Sequence, residues 1–430
     1  VLQAGINRDN IIGVGISNQR ETAMAWDKNT GLPLYNAIVW QCARGEAICK
    51  QIEQAGYGLM IKSHTGLHLS PYFSASKISW ILQNVAEAKN KADRQELCAG
   101  TMDSWLIYRL TKGQSFKTDY SNASRTQLFN INTLSWDQEI CEIFGIPTTM
   151  LAEVCDSNAF YGETDFEGFL DHKVPIRGVL GDSHGALFGQ GCIERGMIKT
   201  TYGTGSSIMM NIGDKPVFSK KGIVTSLAWG IDGHIDYVFE GNINYSGAVI
   251  KWLIEDVKLI TSAQESSELP KLANQEDRTY LVPAFSGLGA PYWDSSATAS
   301  LSGMTRTTGK AEIVKAAVEC IAYQITDIVK LMAEESQVAI RELRVDGGPT
   351  KNEYLMQFQS DILDIPVKVP ELEELSAIGA AYLAGITLGL YEKDKLFLKM
   401  NRKSYDPIMD RERKDKKYQG WKAAVSGVVH

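Results

Sequence analysis

Short apolar runs and longer amphipathic segments alternate along this chain. Residues 11–16 and 174–180 are continuous apolar runs, which is typical of parallel strands covered on both faces. Residues 76–85 repeat their apolar side chains at helical spacing, which predicts a helix with one buried face. Residues 198–211 and 223–240 are predicted to form paired strands. Strands and helices therefore mix in both halves, and this predicts an α/β fold.

The length of the chain, 430 residues, is sufficient for more than one hydrophobic core. We predict a first domain at residues 1–190 and a second domain at residues 191–430. The boundary follows the turn that ends the apolar run at 174–180. The charge-rich stretch 393–417 is predicted to be a solvated surface segment.

The composition excludes several classes of protein. Hydrophobic residues make up 44% of the chain and charged residues 22%, as in an ordinary globular protein. The net charge of -7 provides no general basic field, so we expect no nucleic-acid partner. No apolar stretch reaches the length needed to span a bilayer, so we expect no membrane insertion. The seven cysteines lack metal-ligand or redox spacing, which indicates reduced thiols in a cytoplasmic protein.

One carboxylate follows the apolar run at 174–180 directly. Asp182 stands between that predicted strand and a helix-like stretch, and two glycine-rich turns follow later, at 202–206 and 345–348. A carboxylate at a strand end, with glycine turns beyond it, suggests a general base that faces a bound phosphate. Taken alone, an aspartate in this position is more often a helix N-cap.

A second group of candidate residues lies near the start of the chain. Arg20 and Glu21 follow a predicted strand, and an arginine donor next to a glutamate acceptor can hold neighbouring hydroxyls of a polyol. Most adjacent charges are instead surface ion pairs. Trp40 and Tyr72 provide an apolar wall and a hydroxyl group, although an aromatic residue alone is more often part of the core.

Longer segments of the chain carry a family resemblance. Gln-Arg-Glu-Thr at 19–22 and the stretch 118–125 resemble the FGGY carbohydrate kinases, particularly the members that phosphorylate glycerol. Both signature stretches of that family are recognisable, at 72–84 and 299–319. Long spaced patterns of this kind are far more specific than a single glycine motif. The resemblance extends to about residue 392.

The resemblance implies an ATP-dependent polyol or sugar kinase with two actin-like, ribonuclease H-like ATPase domains and an interdomain cleft. It implies that Asp182 is the catalytic base and also a ligand of Mg²⁺, and that the chain forms a homo-oligomer, a dimer or a tetramer. It places the acceptor, with glycerol expected first, among Arg20, Glu21, Trp40, Tyr72, Asp182, Ser183 and Ser207. It places the nucleotide against Gly203, Thr204, Gly205, Gly247, Lys251, Gly348 and Asn352.

Three departures from the family pattern keep alternatives open. The family opens with a strand and hairpin bearing Asp-x-Gly-Thr-Thr, which grips the phosphates, and this chain has no room for it before Arg20. This leaves a non-catalytic nucleotide-binding fragment as an alternative. The family usually has glutamine at Ser183 and an aromatic residue at Ser207. Two serines widen the predicted pocket, so a polyol or ketose of four to five carbons is the alternative acceptor.

A different class of enzyme also matches one motif. Residues 181–185 read G-x-S-x-G, which is the nucleophile elbow of α/β-hydrolases, with Ser183 as nucleophile. Such an enzyme needs a histidine further along the chain, and beyond His184 only His234 and His430 remain. An actin-like filament or chaperone ATPase would share the fold, but the Arg20–Glu21 pair and both signature stretches argue against it.

Overall fold

The strands of this chain form two main sheets, and the apolar runs at 11–16 and 174–180 provide β1 and β9 of the first. The computed structural model describes residues 3–429. Its strands are β1 (Val14–Asn18), β2 (Met24–Asp27), β3 (Leu97–Gly100), β4 (Lys117–Asp119), β5 (Phe129–Asn130), β6 (Ser135–Trp136), β7 (Glu153–Cys155), β8 (Glu163–Thr164), β9 (Val174–Gly181), β10 (Ile198–Tyr202), β11 (Ser206–Gly213), β12 (Val224–Ile231), β13 (His234–Ile243), β14 (Tyr280–Val282), β15 (Ser300–Ser302), β16 (Leu343–Asp346), β17 (Val367–Pro370) and β18 (Arg402–Tyr405).

Helices cover and connect these strands. They are α1 (Glu46–Gln54), α2 (Gly58–Thr65), α3 (Ser74–Asn84), α4 (Ala88–Asp93), α5 (Met102–Leu110), α6 (Tyr120–Ala123), α7 (Gln138–Phe144), α8 (Asp182–Gly189), α9 (Gly247–Glu255), α10 (Glu265–Leu272), α11 (Lys310–Ser336), α12 (Glu353–Leu363), α13 (Leu375–Thr387), α14 (Lys393–Leu398) and α15 (Arg411–Ser426). None of these described helices is both long and apolar enough to cross a bilayer.

The first sheet joins the two apolar runs that the sequence analysis identified. In the described chain β1 pairs in parallel with β9, and β8 completes this sheet along the other edge of β9. The pairing aligns Asn18 with Gly181, the last residues of the two strands. The segments that follow β1 and β9 therefore leave the sheet at the same edge, and this brings residues 20–21 next to residue 182.

The second sheet is larger. Among the described strands its order is β12-β13-β11-β10-β16-β17-β18. The hairpins β10–β11 and β12–β13 are antiparallel, whereas β16 runs parallel to both β10 and β17. The long helix α11 packs on this sheet, and its apolar residues form one continuous core with strands β10 to β13. The predicted strands over 198–211 and 223–240 are confirmed as these two hairpins.

Helices α6, α8 and α13 pack where the two sheets meet. Helix α8 contacts strands of both sheets, and α13 packs on α8, β1 and β9. Glycines permit this close packing: a Cβ atom on Gly379 of α13 would lie 1.8 Å from the carbonyl oxygen of Gly185 in α8. A Cβ atom on Gly15 or Gly178 would lie within about 2.6 Å of the Ala380 carbonyl oxygen. The end of the first sheet is thereby held at a fixed position relative to the second.

The prediction that stretch 393–417 lies at the solvated surface is largely confirmed, since Tyr405 and Lys417 are the only two of its residues that are buried, but the stretch is also regularly folded. The stretch includes β18, which pairs antiparallel with β17 as the edge strand of the large sheet. It also includes the first turns of α15, where Lys417 is buried and forms an ion pair with Glu319 at 3.2 Å. Backbone hydrogen bonds, not apolar side chains, hold an edge strand, and charged residues there discourage further strand pairing.

Candidate active site

The turn after β1 buries two charged side chains. Arg20 and Glu21 are 5% and 2% exposed, so the interpretation as a surface ion pair is wrong. Glu21 has a φ of 47°, in the left-handed region that residues other than glycine rarely adopt. Such backbone strain persists only where the surrounding structure fixes it, and it is concentrated at functional sites.

Asp182 lies directly beside this turn. Its Oδ1 atom is 3.3 Å from Nε of Arg20, and its side chain is 46% exposed. The N-cap of α8 is Gly181, and Asp182 is the first residue of the helix. The interpretation of Asp182 as an N-cap is therefore wrong, and the exposed carboxylate is available to a ligand.

Two residues that the sequence analysis did not assign complete the charged group. Glu240 of β13 accepts hydrogen bonds from both terminal nitrogens of Arg20, at 2.7 and 3.1 Å. Arg125 donates from Nε to Oε1 of Glu21 at 2.6 Å, and its Nη1 lies 3.2 Å from Oε2 of Glu240. We call Arg20, Glu21, Arg125 and Glu240 the buried charge network. A glutamate within the apolar strand β13 was the sequence signal for it.

The network is held together by electrostatic attraction in a buried environment. Burial by itself would raise the pKa of Glu240, but the positive charges of Arg125 and Arg20 outweigh burial and hold that pKa well below its usual value. Burial would lower the pKa of Arg20, yet Glu240, Glu21 and Asp182 together raise it. Both groups are therefore charged at neutral pH, and two arginines balance two glutamates.

Tyr72 lies next to the network, and Trp40 packs against Tyr72. Their ring centroids lie 5.6 Å apart at an interplanar angle of 63°, and Tyr72 also packs against Phe73. The guanidinium of Arg125 lies 5.1 Å from the centre of the Phe73 ring. Burial raises the pKa of Tyr72, so its hydroxyl stays protonated and can donate a hydrogen bond.

A buried lysine fixes the backbone that carries Tyr72. Nζ of Lys77 donates to the carbonyl oxygens of Pro71 and Phe73, at 2.8 and 3.0 Å, and to the carbonyl oxygen of Tyr72. Burial lowers the pKa of Lys77 to about 8. These three hydrogen bonds fix the backbone at residues 71–73 and thereby the position of the Tyr72 ring.

The two serines of the predicted acceptor pocket lie on different elements. Ser183 is the second residue of α8, next to Asp182. Ser207 lies in β11 opposite Asn242, on the sheet face that also carries Glu240. The Oγ atom of Ser207 is buried and has no hydrogen-bond partner among the described residues. Both positions therefore lie close to the buried charge network.

The predicted nucleotide residues gather at a separate place. The turn at 203–205 meets the start of α9, where the amide of Gly247 donates to the Gly203 carbonyl at 2.9 Å. The amide of Ala248 donates to the Thr204 carbonyl at 3.0 Å. A Cβ atom on Gly247 would lie 2.7 Å from the Gly203 oxygen, so only glycine permits this contact.

A cavity of about 520 Å³ opens beside this contact. Gly247, Lys251, Gly348 and Asn352 all line it. Asn352 caps α12 by accepting a hydrogen bond from the amide of Leu355 at 3.0 Å. Lys251 is exposed, and its Nζ lies 3.5 Å from Glu255 on the same helix. The cavity is within the size range of small-molecule and cofactor pockets, and two glycines, Gly247 and Gly348, lie at its border.

The donor groups fit a magnesium ion that is held mainly by phosphates. No cluster of three or more His, Cys, Asp or Glu side chains suited to a metal occurs within residues 3–429. Mg²⁺ in phosphotransferases needs only one or two carboxylates, because phosphate oxygens and water complete its coordination. The half-exposed carboxylate of Asp182 could serve as one such ligand.

The geometry of a serine hydrolase is absent from the described residues. His184 follows Ser183 in α8 and is fully buried, and neither of its ring nitrogens has a hydrogen-bond partner there. Burial lowers its pKa far below the usual value. His234 lies at the start of β13, with an exposed side chain 3.4 Å from Asp236. No described histidine therefore serves Ser183 as a base, and His430 lies outside the described residues.

The fold and this arrangement define a two-domain α/β phosphotransferase. The N-terminal domain of the FGGY family of carbohydrate kinases matches residues 1–189, and the C-terminal domain of that family matches residues 198–388. The chain therefore belongs to the FGGY family of carbohydrate kinases. This result confirms the predicted resemblance.

Individual relatives agree with this assignment. The chain is 48% identical to a glycerol kinase of Alkaliphilus oremlandii over 98% of its own length and 84% of that relative. It is 46% identical to a glycerol kinase of a Geobacillus species, over 99% of its own length and 86% of the relative.

Solved structures confirm the fold class. The chain is similar to a crystal structure of Plasmodium falciparum glycerol kinase with ADP, with a TM-score of 0.92 and 37% identity. That match covers 98% of this chain and 84% of the other. A xylulose kinase of Lactobacillus acidophilus shares the fold, with a TM-score of 0.87 at 21% identity, and the match covers 99% of this chain and 85% of the other.

Proposed function

We propose that this chain transfers the terminal phosphoryl group of ATP to a primary hydroxyl of glycerol and so forms glycerol 3-phosphate. The observation that carries the proposal is the exposed carboxylate of Asp182, 3.3 Å from Arg20 at the edge of the buried charge network. A carboxylate beside fixed hydroxyl-binding groups is the arrangement that phosphoryl transfer to an alcohol needs. Relatives named glycerol kinase, 46–48% identical over nearly the whole chain, favour glycerol as the acceptor.

Asp182 acts as the general base in this mechanism. It orients the attacking hydroxyl and accepts its proton, while the acceptor oxygen forms a bond to the terminal phosphorus. The bond from that phosphorus to the bridging oxygen of ADP breaks, and ADP leaves with the electron pair. Mg²⁺ held by Asp182 and the phosphates would neutralise the negative charge that spreads over the transferred group.

The remaining site residues bind and orient the acceptor. Arg20 donates to an acceptor hydroxyl and Glu21 accepts from one, so a polyol with neighbouring hydroxyls is held at both. Trp40 covers the carbon atoms, and the hydroxyl of Tyr72 supplies one further hydrogen bond. Closure of the two domains, residues 1–190 and 191–430, excludes water and so limits hydrolysis of ATP.

The nucleotide occupies the cavity that Gly247, Gly348 and Asn352 border. The backbone amides of Thr204 and Gly205 approach the phosphate oxygens, because glycine leaves no side chain in between. Lys251 lines the same cavity, where its exposed ammonium group would lie near the nucleotide. The proposal includes activity in the cytoplasm as a homodimer or homotetramer. Light scattering of the purified protein measures this oligomeric state.

A larger acceptor, of four to five carbons, is the second candidate. It is favoured by Ser183 and Ser207, which are small side chains close to the buried charge network, and by the unpartnered Oγ atom of Ser207. An acceptor with more hydroxyl groups would supply the missing hydrogen bond. Glycerol remains the first candidate because it agrees with the relatives.

An acceptor panel tests this proposal. Rates of ATP-dependent phosphorylation are measured with glycerol, erythritol, threitol, xylitol and xylulose, and kcat/KM is compared. We expect glycerol to give the highest value. A higher value for a larger acceptor would replace glycerol by that acceptor, and hydrolysis of ATP without transfer to any of them would overturn the kinase function of this chain.

A further inference from the structure

We propose that Glu240 is a positioning residue that sets the orientation of the acceptor-binding Arg20 from the opposite sheet; this rests on the proposed function. Arg20 follows β1 of the first sheet, whereas Glu240 belongs to β13 of the second. Their side chains meet in a bidentate pair, with N–O distances of 2.7 and 3.1 Å. Bidentate pairs fix a guanidinium group in both direction and plane.

This pairing determines which part of Arg20 faces the acceptor. Glu240 occupies Nη1 and Nη2, while Nε is buried without a hydrogen-bond partner among the described residues. That Nε atom lies 3.3 Å from Oδ1 of Asp182. Glu240 thereby directs Nε of Arg20 toward Oδ1 of Asp182, next to the place where the acceptor hydroxyl must meet the base.

Glu240 also acts on Glu21, through Arg125. Nη1 of Arg125 lies 3.2 Å from Oε2 of Glu240, and its Nε donates to Oε1 of Glu21 at 2.6 Å. One oxygen of Glu21 is thus occupied, which leaves the other for a hydroxyl of the acceptor. Both halves of the acceptor site therefore depend on one carboxylate that does not itself face the acceptor.

Loss of the charge of Glu240 would change the partner of Arg20. Two buried guanidinium groups would then share the single buried carboxylate of Glu21, which is unfavourable in a desolvated site. The nearest remaining anion for Arg20 is Asp182. We expect Arg20 to turn toward Asp182 and to engage the base, which weakens acceptor binding and slows proton transfer but leaves the nucleotide cavity unchanged.

Steady-state kinetics of Glu240→Gln test this inference. The acceptor is the member of the panel that the wild type phosphorylates best, so that failure of the glycerol proposal and failure of this inference are separate results. We expect the acceptor KM to rise at least about tenfold, since each 1.4 kcal/mol of lost binding is a factor of ten. The KM for ATP should stay close to that of the wild type, and Glu240→Asp should recover part of the acceptor affinity.

A matched control separates positioning from stability. Glu319 is a buried carboxylate on α11 that pairs with Lys417 at 3.2 Å, outside both proposed binding sites. Glu319→Gln should lower Tm and leave both KM values unchanged. The inference is overturned if folded Glu240→Gln keeps the wild-type acceptor KM, or if its KM values for acceptor and ATP rise equally. Should Glu240→Gln not fold, Glu240→Asp decides: an acceptor KM equal to that of the wild type would contradict the inference.

A truncated acceptor provides a second readout. Where glycerol is the acceptor, propane-1,3-diol lacks the middle hydroxyl, so the wild type should discriminate strongly against it. In Glu240→Gln this discrimination should diminish, because an Arg20 that has turned toward Asp182 no longer binds the middle hydroxyl. Unchanged discrimination in the variant would contradict a role for Glu240 in positioning.

Discussion

Nε of Arg20 lies 3.3 Å from Oδ1 of Asp182, although the two residues follow different strands of the first sheet. Arg20 is 5% exposed, whereas the carboxylate of Asp182 is 46% exposed. The buried guanidinium group of Arg20 therefore lies next to a carboxylate, that of Asp182, which a ligand can reach. This difference in exposure fits the proposed roles, in which Asp182 exchanges a proton with the acceptor while Arg20 keeps a fixed position.

Replacement of the base is expected to remove phosphoryl transfer. Asp182→Asn keeps the shape of the side chain but cannot accept the proton, and general bases contribute about 100- to 10,000-fold to rates. We expect kcat to fall within that range, with ATP binding by calorimetry nearly unchanged because the cavity lies elsewhere. Near-normal turnover in the folded variant would contradict the assignment of Asp182 as base.

The hydroxyl of Tyr72 is expected to contribute to acceptor binding. Tyr72→Phe keeps the ring, which packs on Trp40 and Phe73, so the shape of the pocket is preserved. We expect the glycerol KM to rise by about 5- to 150-fold, because loss of one hydrogen-bonding partner costs about 1–3 kcal/mol. The control is Tyr161→Phe, which removes a buried hydroxyl that donates to the Asp156 carbonyl at 2.8 Å. An equal KM change in both variants would contradict the proposed contact.

Contact between Gly203 and Gly247 is expected to shape the nucleotide site. In Gly247→Ala the new Cβ atom would lie 2.7 Å from the Gly203 oxygen, so the turn at 203–205 must shift. We expect the KM for ATP to rise while the KM for glycerol changes little. Gly289→Ala is the matched control, because its Cβ atom would meet only the Asn242 oxygen, at 3.7 Å. If both variants bind ATP like the wild type, the turn does not contact the phosphates.

The buried carboxyl group of Asp103, in the first domain, is expected to make the stability of the protein depend on pH. Burial and the charge of Asp119 raise the pKa of Asp103 from 3.8 to about 6. As pH rises between these values the unfolded chain loses its proton first, so the free energy of unfolding falls. Asp103→Asn removes this cost, and we expect a gain of the order of 1–3 kcal/mol at pH 7 and little gain near pH 4. Urea unfolding at both pH values measures it.

Asp27, a carboxyl group whose pKa is lowered in the folded protein, serves as the control for this prediction. The hydrogen bond from Lys91, with others from Thr30 and Asn29, lowers the pKa of Asp27 to about 2. Its stabilisation is present above pH 3.8 and is lost as the pH falls toward 2, so Asp27→Asn should destabilise the protein at pH 7. If Asp103→Asn loses the same stability at both pH values, the prediction is contradicted. The hydrogen bonds that Asp103 accepts from Thr101 and Thr118 would then outweigh the cost of burying its charge.

Sequence patterns predicted the elements better than the contacts between them. The run 174–180 became β9, and the predicted helix 76–85 became α3 (Ser74–Asn84), because periodicity reports which side of a segment is buried. The stretch 393–417 lies at the surface as predicted, but its sequence did not reveal β18, since backbone hydrogen bonds that leave no apolar signal hold this strand. Arg20 and Asp182 were identified from family motifs, whereas Glu240 was not assigned.

The sequence by itself determined the α/β class, the family and the strand-end position of Asp182, because these depend on local periodicity and on motifs of neighbouring residues. Only the tertiary structure decided how the site is supported. Arg20 and Glu240 are 220 positions apart, and their bidentate pair exists because two sheets are brought together through α8 and α13. A single charged residue in a strand gives no information on its partner, since a partner is specified by distance in space and not by spacing in the chain.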